Sequence, residues 1–284
     1  MYNNFKSCNK VNVVLEHTPK HLAENYLSLI IKEFGTIINK IDWLECQKND
    51  SIGNPRLDEF LGLKKYIKLN NYYFSGSTIQ YIYSALKMSD IIRKFCRIES
   101  LSKMLVLESN PKLETSFNII EIGGGYGGQC YIFNIIAKMF NIKIKSYNII
   151  DLKGPCLLTE KYLNSLNIPN VKFYNALNYE NYKNIFEKIE IDFILSSWCI
   201  SELSINYSEK YFNDIVSKAK MGFIAWNNDY KDNSYRLSIN NFTPEKFNNL
   251  KIVPSPLYTI NVKNIIKKWE KAHAKFVKYV SFYK

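Results

Sequence analysis

An α/β fold, a parallel sheet covered by helices and preceded by an N-terminal helical region, is what this sequence predicts. Three observations predict it. From residue 116 onward short apolar runs of strand length alternate with stretches of helical periodicity, the pattern of a parallel sheet covered on both faces. The first apolar run, Ser116-Phe117-Asn118-Ile119-Ile120, feeds Glu121-Ile122-Gly123-Gly124-Gly125-Tyr126-Gly127-Gly128 and then an apolar-periodic segment from Gln129 to Phe140, so strand, glycine turn and helix follow in order. Residues 20–47 instead carry Leu22, Tyr26, Leu27, Ile30, Phe34 and Ile37 at helical spacing, with no strand between.

The remaining elements follow in turn. Asn49-Asp50-Ser51-Ile52-Gly53-Asn54-Pro55 is dense in turn-forming residues and reads as a loop. A second helix is expected through Ile79, Ile82, Tyr83, Leu86, Ile91 and Ile92, with Ser77 or Thr78 as its N-cap. After the strand ending at Glu121, further strands are expected at 144–150, ending at Asp151, and at 171–174, 191–195 and 221–226. Helices around 155–166, 179–188 and 208–219 separate them, and Ile252-Val253 and Tyr258-Thr259-Ile260 add strands that complete the sheet. The expected division is a helical region over 1–105 and a ligand-binding α/β region over 106–284.

Composition narrows the function classes. The 284 residues are 46% hydrophobic and 15% aromatic, ample for a core. The net charge of +12 suits an anionic partner, but the lysines are scattered among Asn, Ile and Tyr with no compact basic block, so a nucleic-acid partner is disfavoured. Six cysteines at 8, 46, 96, 130, 156 and 199 include no C-x-x-C pair, which points to neither a zinc site nor a disulfide framework but to reduced, mostly buried thiols. The N-terminus lacks an apolar signal core and no apolar run is long enough to span a bilayer, so a cytoplasmic protein with no membrane span is expected. The oligomeric state is not legible.

The glycine loop carries the functional reading. Glycines at 123, 125 and 127 allow positive φ and let backbone N–H groups approach a ligand at a helix N-terminus. Taken as G-x-G-x-x-G, with Gly123, Gly125 and Gly128, the segment fits a dinucleotide; taken as E-x-G-x-G-x-G it fits S-adenosylmethionine. Glu121 favours the second, since an acid there meets the ammonium-bearing methionine end and repels a pyrophosphate.

Ligands of open parallel sheets bind beyond the carboxyl ends of the strands. Asp151 is therefore placed to accept bonds from the ribose hydroxyls of an adenosine, and Asn175 to bond the adenine edge, although a helix cap and a simple turn residue are the alternatives for the two. In Ser196-Ser197-Trp198-Cys199-Ile200-Ser201-Glu202, Trp198 lines the cofactor or substrate pocket or merely packs, and Glu202 is the first candidate for a general base. Asn227-Asn228-Asp229 offers polar groups beside the reacting centre, with Asp229 the second candidate base and Asn227 a substrate contact. Asp229 with Asp232 is weak support for Mg²⁺, so no metal is assigned. His17, His21 and His273 fall at no strand end.

Taken together, Asn49 through Pro55, the Ser77-Thr78 helix entry, Glu121 through Gly128, Asp151-Leu152, Ser201-Glu202-Leu203 and Ile252-Val253-Pro254-x-Pro256 resemble the sugar O-methyltransferases, a branch of the class I S-adenosylmethionine-dependent methyltransferases. Two departures stand out: Lys153 follows Asp151-Leu152 where similar sequences carry proline, and Ser197-Trp198-Cys199-Ile200 replaces a Ser-Asn-aromatic-Ala run. The resemblance implies a Rossmann-like class I methyltransferase sheet whose N-terminal helical region helps close the acceptor site, with a sugar or glycan hydroxyl as acceptor and Asp50 and Asn54 contacting sugar or cofactor. A nucleic-acid methyltransferase, a nicotinamide-dependent oxidoreductase and a non-catalytic scaffold are the alternatives.

Overall fold

The computed structural model describes residues 5–6, 8, 18, 20–53, 66–69, 72–104, 116–227, 236–255 and 277–284. In chain order the helices are α1 (Lys20–Phe34), α2 (Trp43–Ser51), α3 (Gly76–Met104), α4 (Gly128–Met139), α5 (Lys153–Ser165), α6 (Tyr179–Lys188), α7 (Cys199–Glu202) and α8 (Ile205–Asp214). The strands are β1 (Tyr66–Leu69), β2 (Tyr72–Ser75), β3 (Ser116–Ile122), β4 (Lys143–Asp151), β5 (Val171–Asn175), β6 (Phe193–Ser197), β7 (Met221–Asn227), β8 (Lys251–Pro254) and β9 (Val277–Tyr283). The chain forms two compact units that interleave along the sequence. One comprises Met1–Leu86, Gly124–Asn141 and Lys153–Pro169; the other Lys87–Gly123, Ile142–Leu152 and Asn170–Lys284.

The second unit holds a seven-stranded sheet in the order β5-β4-β3-β6-β7-β9-β8. Neighbours from β5 to β7 run parallel, while β9 is antiparallel to both β7 and β8. The chain steps outward from β3 through β4 to β5, then returns to add β6 and β7 on the other side, so the order reverses between β3 and β6. One face of this sheet presents Ile120, Ile122, Ile150, Ile194, Ile224, Trp226, Val280 and Phe282. These pack in one cluster with Tyr179, Tyr182 and Phe186 of α6 and Tyr211 and Phe212 of α8, and with Phe242 and Phe247. The period-2 alternation of the strands puts these residues on one face, and each large side chain removed from water there contributes roughly 1.5–3 kcal/mol. Aromatic contacts run on from Trp226 to Phe242 (5.5 Å), Phe242 to Phe247 (5.2 Å) and Phe247 to Phe282 (4.5 Å).

The first unit contains α1, α2, the β1–β2 antiparallel pair, the start of α3, and α4 and α5. Asp42 caps α2, its Oδ1 accepting the Glu45 N–H at 2.9 Å. The α4 helix is fastened to α2 where the Tyr131 hydroxyl donates to the Glu45 carbonyl (2.9 Å) and carboxylate (3.0 Å).

Several expectations need correction. Asn49, Asp50 and Ser51 are the last turn of α2 rather than loop, and Gly53, at φ 88°, lies beyond its end. The second helix starts at Gly76, so its cap is Ser75, whose Oγ accepts the Thr78 N–H at 3.2 Å; Ser77 and Thr78 lie inside the first turn. The fourth strand begins at Phe193, and the helix expected at 208–219 is α8 followed by a 3₁₀ turn at Val216–Lys218. The β1–β2 pair and β9 were not anticipated. The strand expected at 258–260 lies outside the described residues.

Candidate functional site

In the sheet unit the singled-out residues line the carboxyl ends of the parallel strands, with Glu121 of β3 and Trp198 after β6 flanking the point where the strand order reverses, the position at which open α/β sheets bind ligands. Glu121 is only 2% exposed at the end of β3, and its Oε2 accepts the Tyr147 hydroxyl at 2.8 Å. Burial pushes its carboxyl up to about 8, with the Asp151 charge adding and the Tyr147 hydrogen bond opposing. Two residues on, Gly123 adopts φ 84° and donates its N–H to the Ile150 carbonyl at 2.9 Å. A Cβ there would lie 2.3 Å from the Cys199 Cβ and 2.8 Å from its Sγ. Only glycine fits, both for its dihedral and for this contact between the turns after β3 and β6. Asp151 ends β4 opposite Asn175 of β5, and its Oδ1 accepts the Leu152 N–H at 2.7 Å. The Asn175 side chain accepts the Leu177 N–H at 3.2 Å, the local turn role weighed for it.

Beyond β6, Trp198 sits at φ 71°, uncommon for a residue with a Cβ and strained for a bulky one, while its backbone N–H donates to the Ala225 carbonyl at 3.0 Å. Its buried indole Nε1 has no hydrogen-bond partner among the described residues. The adjoining Cys199 thiol is pushed up to about 12 by burial and by the charges of Asp151, Glu202 and Glu121, so it stays protonated and inert as a nucleophile at neutral pH. At the far end of α7, Glu202 is exposed and its Oε1 accepts from Asn227 Nδ2 at 3.3 Å. The Asn227 N–H donates to Ser201 Oγ (3.0 Å), which donates to the Trp198 carbonyl (2.8 Å). Glu202 and Asn227 are thus brought together in the same cluster as Trp198. Asp229 lies outside the described residues, as do Asn228, Asp232 and Asn54.

In the other unit the loop continues through Gly125, at φ 60°, and Gly127, at φ 94°, which caps α4. The Gly127 N–H closes a turn onto the Gly124 carbonyl at 2.9 Å, and the Thr159 hydroxyl donates to the Gly125 carbonyl at 2.9 Å. A Cβ on Gly127 would meet Thr159 Cγ2 at 2.6 Å. Between the two glycines Tyr126 points inward, 1% exposed, and meets a residue the sequence reading did not single out, Asn49. Asn49, fully buried, donates from Nδ2 to Tyr126 Oη (2.9 Å) and Thr78 Oγ1 (2.7 Å), and its Oδ1 accepts from the Tyr162 hydroxyl. Asp50 accepts from Ser75 N and from Thr78 Oγ1, both at 2.9 Å, so both of its oxygens are engaged inside the unit. The Lys6 ammonium donates to the Asn49 carbonyl, lies 3.9 Å from Asp50 Oδ1 and stands 4.6 Å over the Tyr126 ring. The one signal that could have pointed to Asn49 is its place beside Asp50 in the segment marked out by the resemblance.

Neither a family model nor a curated protein matches the sequence. Among solved structures, the chain is similar to the mitomycin 7-O-methyltransferase MmcR at 12% identity over 60% of this chain and 49% of that one, with a TM-score of 0.36. It thus spans about half of that protein. An O-methyltransferase family protein from Burkholderia thailandensis is 11% identical over 78% and 80% of the two chains (TM-score 0.36). M. capricolum TrmK, solved with its natural cofactor product S-adenosyl-homocysteine, is 14% identical over 61% and 64% (TM-score 0.36). Likenesses this distant say nothing of substrate, and the fold stands on the sheet's own strand order and its reversed β9. The sheet is a Rossmann-like α/β sheet, parallel but for the single reversed strand β9. Among the described residues no helix is long and apolar enough to cross a membrane.

Proposed function

We propose that the protein is an S-adenosylmethionine-dependent methyltransferase that methylates a sugar hydroxyl, free, nucleotide-linked or within a glycan. The observation that carries this reading is the pairing of a buried acid, Glu121, with a glycine at the strand-order reversal whose place no side chain can take. This donor set fits the cofactor. Asp151 would accept from the ribose hydroxyls, Asn175 would meet the adenine edge, Glu121 would answer the positive charge of the methionine end, and Gly123, Gly125 and Gly127 would leave the backbone open to approach. Trp198 would bound the cofactor with its indole. The favoured acid-and-glycine pattern is also the reason a pyrophosphate-bearing dinucleotide is the weaker alternative.

When bound, S-adenosylmethionine supplies an electrophilic methyl carbon on a positively charged sulfur. The chain's own part is to place the acceptor and take its proton. Glu202 is exposed and would meet an incoming hydroxyl with Oε2, while Oε1 is steadied by Asn227. A neutral sugar hydroxyl is a poor nucleophile, so transfer of its proton to Glu202 as the oxygen attacks lowers the barrier. Asp229 is the second candidate for that role. Asn54 and Asn227 are proposed acceptor contacts, and Asp50 is proposed to act through the helix entry it fastens at Ser75 and Thr78. Residues 1–105 are proposed as the acceptor-side region and 106–284 as the cofactor-binding one, in a cytoplasmic protein.

The test is product formation. The purified protein is incubated with S-adenosylmethionine and separate panels of nucleotide sugars, oligosaccharides and RNA, and S-adenosylhomocysteine release is followed with mass analysis of the acceptor. A mass gain of one methyl on a sugar supports the reading. Methylation confined to RNA assigns the acceptor to nucleic acid, and oxidation or reduction of a nicotinamide cofactor overturns the class.

A further inference from the structure

The glycine loop has a single side chain by which the protein can hold it. From 123 to 128 the sequence is Gly-Gly-Gly-Tyr-Gly-Gly, and glycine loses more conformational freedom on ordering than any other residue. Tyr126 is therefore the one side chain of the loop that can anchor it, beside the Thr159 hydroxyl on the Gly125 carbonyl. The Tyr126 ring is enclosed by segments far apart in sequence: Phe5 at 5.2 Å between centroids, Tyr162 at 5.2 Å and perpendicular, Tyr81 at 6.1 Å, and the Lys6 ammonium 4.6 Å over its face. Its hydroxyl is held by Asn49. Phe5 and Lys6 are themselves docked: the Lys6 backbone N–H donates to the Gly53 carbonyl at 2.9 Å, and Gly53 has no Cβ because one would sit 2.4 Å from the Phe5 ring. Lys6 is 2% exposed. A lysine seldom enters a protein interior, since its ammonium must be paired and hydrogen-bonded to offset the lost hydration. Here Asn49, Asp50 and the Tyr126 ring together meet that requirement.

We infer that Lys6, Asn49 and Tyr126 form a latch that sets the cofactor loop, so that docking of the Phe5–Lys6 segment and binding of S-adenosylmethionine are energetically coupled. The inference rests on the cofactor reading above. Lys6 and Asn49 are positioning residues: they touch Tyr126, and Tyr126 fixes the peptide groups of Gly125 and Gly127 on either side. Preorganising a loop strengthens binding by removing an ordering cost that the ligand would otherwise meet. Coupling is reciprocal, so a bound ligand must hold the latch closed by the same factor by which the latch aids the ligand.

Two readouts test it on the full chain. The first is the rate of chemical acetylation at Lys6 Nζ, followed by mass spectrometry with and without saturating S-adenosylhomocysteine. Lys6 labelling is expected to slow about fivefold or more on binding, the lower end of ordinary coupling factors, while the exposed Lys48 and Lys94 are unaffected. The second compares Tyr126→Phe with Tyr131→Phe. Each removes one buried hydroxyl from the same unit, but Tyr131 bonds Glu45 and not the loop's tyrosine. Tyr126→Phe is expected to weaken S-adenosylhomocysteine binding about tenfold, the worth of one buried hydrogen bond, whereas Tyr131→Phe lowers the melting temperature and leaves Kd unchanged. A wild-type protein that binds the ligand with no change in Lys6 labelling, or a Tyr126→Phe protein of unchanged Kd, overturns the latch alone. A wild-type protein that binds no S-adenosylhomocysteine overturns the cofactor reading and the latch with it.

Discussion

Replacing Glu121 by glutamine should stabilise the ligand-free protein at neutral pH and weaken its hold on the cofactor. The carboxyl is 2% exposed and its ordinary value of 4.5 is pushed up to about 8, chiefly by burial. A carboxyl raised on folding binds its proton more tightly in the folded state. Its contribution is therefore fully present below about pH 4.5 and is lost as pH climbs toward 8, where the folded protein too must ionise. At 1.36 kcal/mol per unit, the loss by pH 7 has a ceiling of about 3 kcal/mol. Glutamine keeps an oxygen to accept the Tyr147 hydroxyl and never ionises. Urea unfolding of both proteins at pH 4.5 and pH 7 measures the effect: the variant should gain up to about 3 kcal/mol on the wild type at pH 7 and nearly nothing at pH 4.5. Affinity should move oppositely. A cation binds the ionised form, so wild-type affinity for S-adenosylmethionine should rise between pH 6 and 8, up to tenfold per unit, and that rise should vanish in the variant. A variant less stable than the wild type at both pH values would refute the reasoning, because Glu121 would then be held as a paired carboxylate.

Gly123→Ala should lower stability by about 2 kcal/mol or more and abolish cofactor binding, since the new Cβ meets Cys199 at 2.3 Å on a backbone at φ 84°. Adding Cys199→Gly relieves the overlap but not the dihedral strain, so thermal melts of the double variant should show partial recovery. Glu202→Gln should leave S-adenosylhomocysteine affinity unchanged by calorimetry and cut turnover on the true acceptor by about 10²-fold or more, as loss of a general base does. Asn49→Ala removes the buried amide shared by Thr78, Tyr126 and Tyr162, while Thr78 keeps its bond to Asp50, and denaturant unfolding should register a loss of about 3 kcal/mol.

The parallel strands were legible in the sequence because each reads as a short run between helical stretches, the central β3, β6 and β7 almost wholly buried and the edge strand β5 half-exposed. Strand β9 was readable in principle: Val277, Tyr279, Val280 and Phe282 are buried while Lys278 and Ser281 are less so, an alternation broken by one residue. It was missed because its place, antiparallel between β7 and β8, is set by pairing over long sequence separations. Turn-forming composition misplaced residues 49–51, where tertiary bonds to Thr78 and Tyr126 hold Asn49 in a helix against its local preference. The proposed cofactor side of the site was legible because its chemistry lies in consecutive residues, Glu121 to Gly128, and at the strand end marked by Asp151. The latch was not, since Lys6, Asn49, Tyr126 and Tyr162 are joined across 43 to 113 positions of sequence.

Calorimetric titration of the wild-type protein and of Asp151→Ala with S-adenosylmethionine, S-adenosylhomocysteine and NAD⁺ decides the matter. Binding of the first two by the wild type, weakened tenfold or more by loss of the Asp151 carboxylate and accompanied by no binding of NAD⁺, is the expected result. Binding of NAD⁺ with none of either sulfur nucleoside would contradict it, and would make the loop after Glu121 a pyrophosphate site.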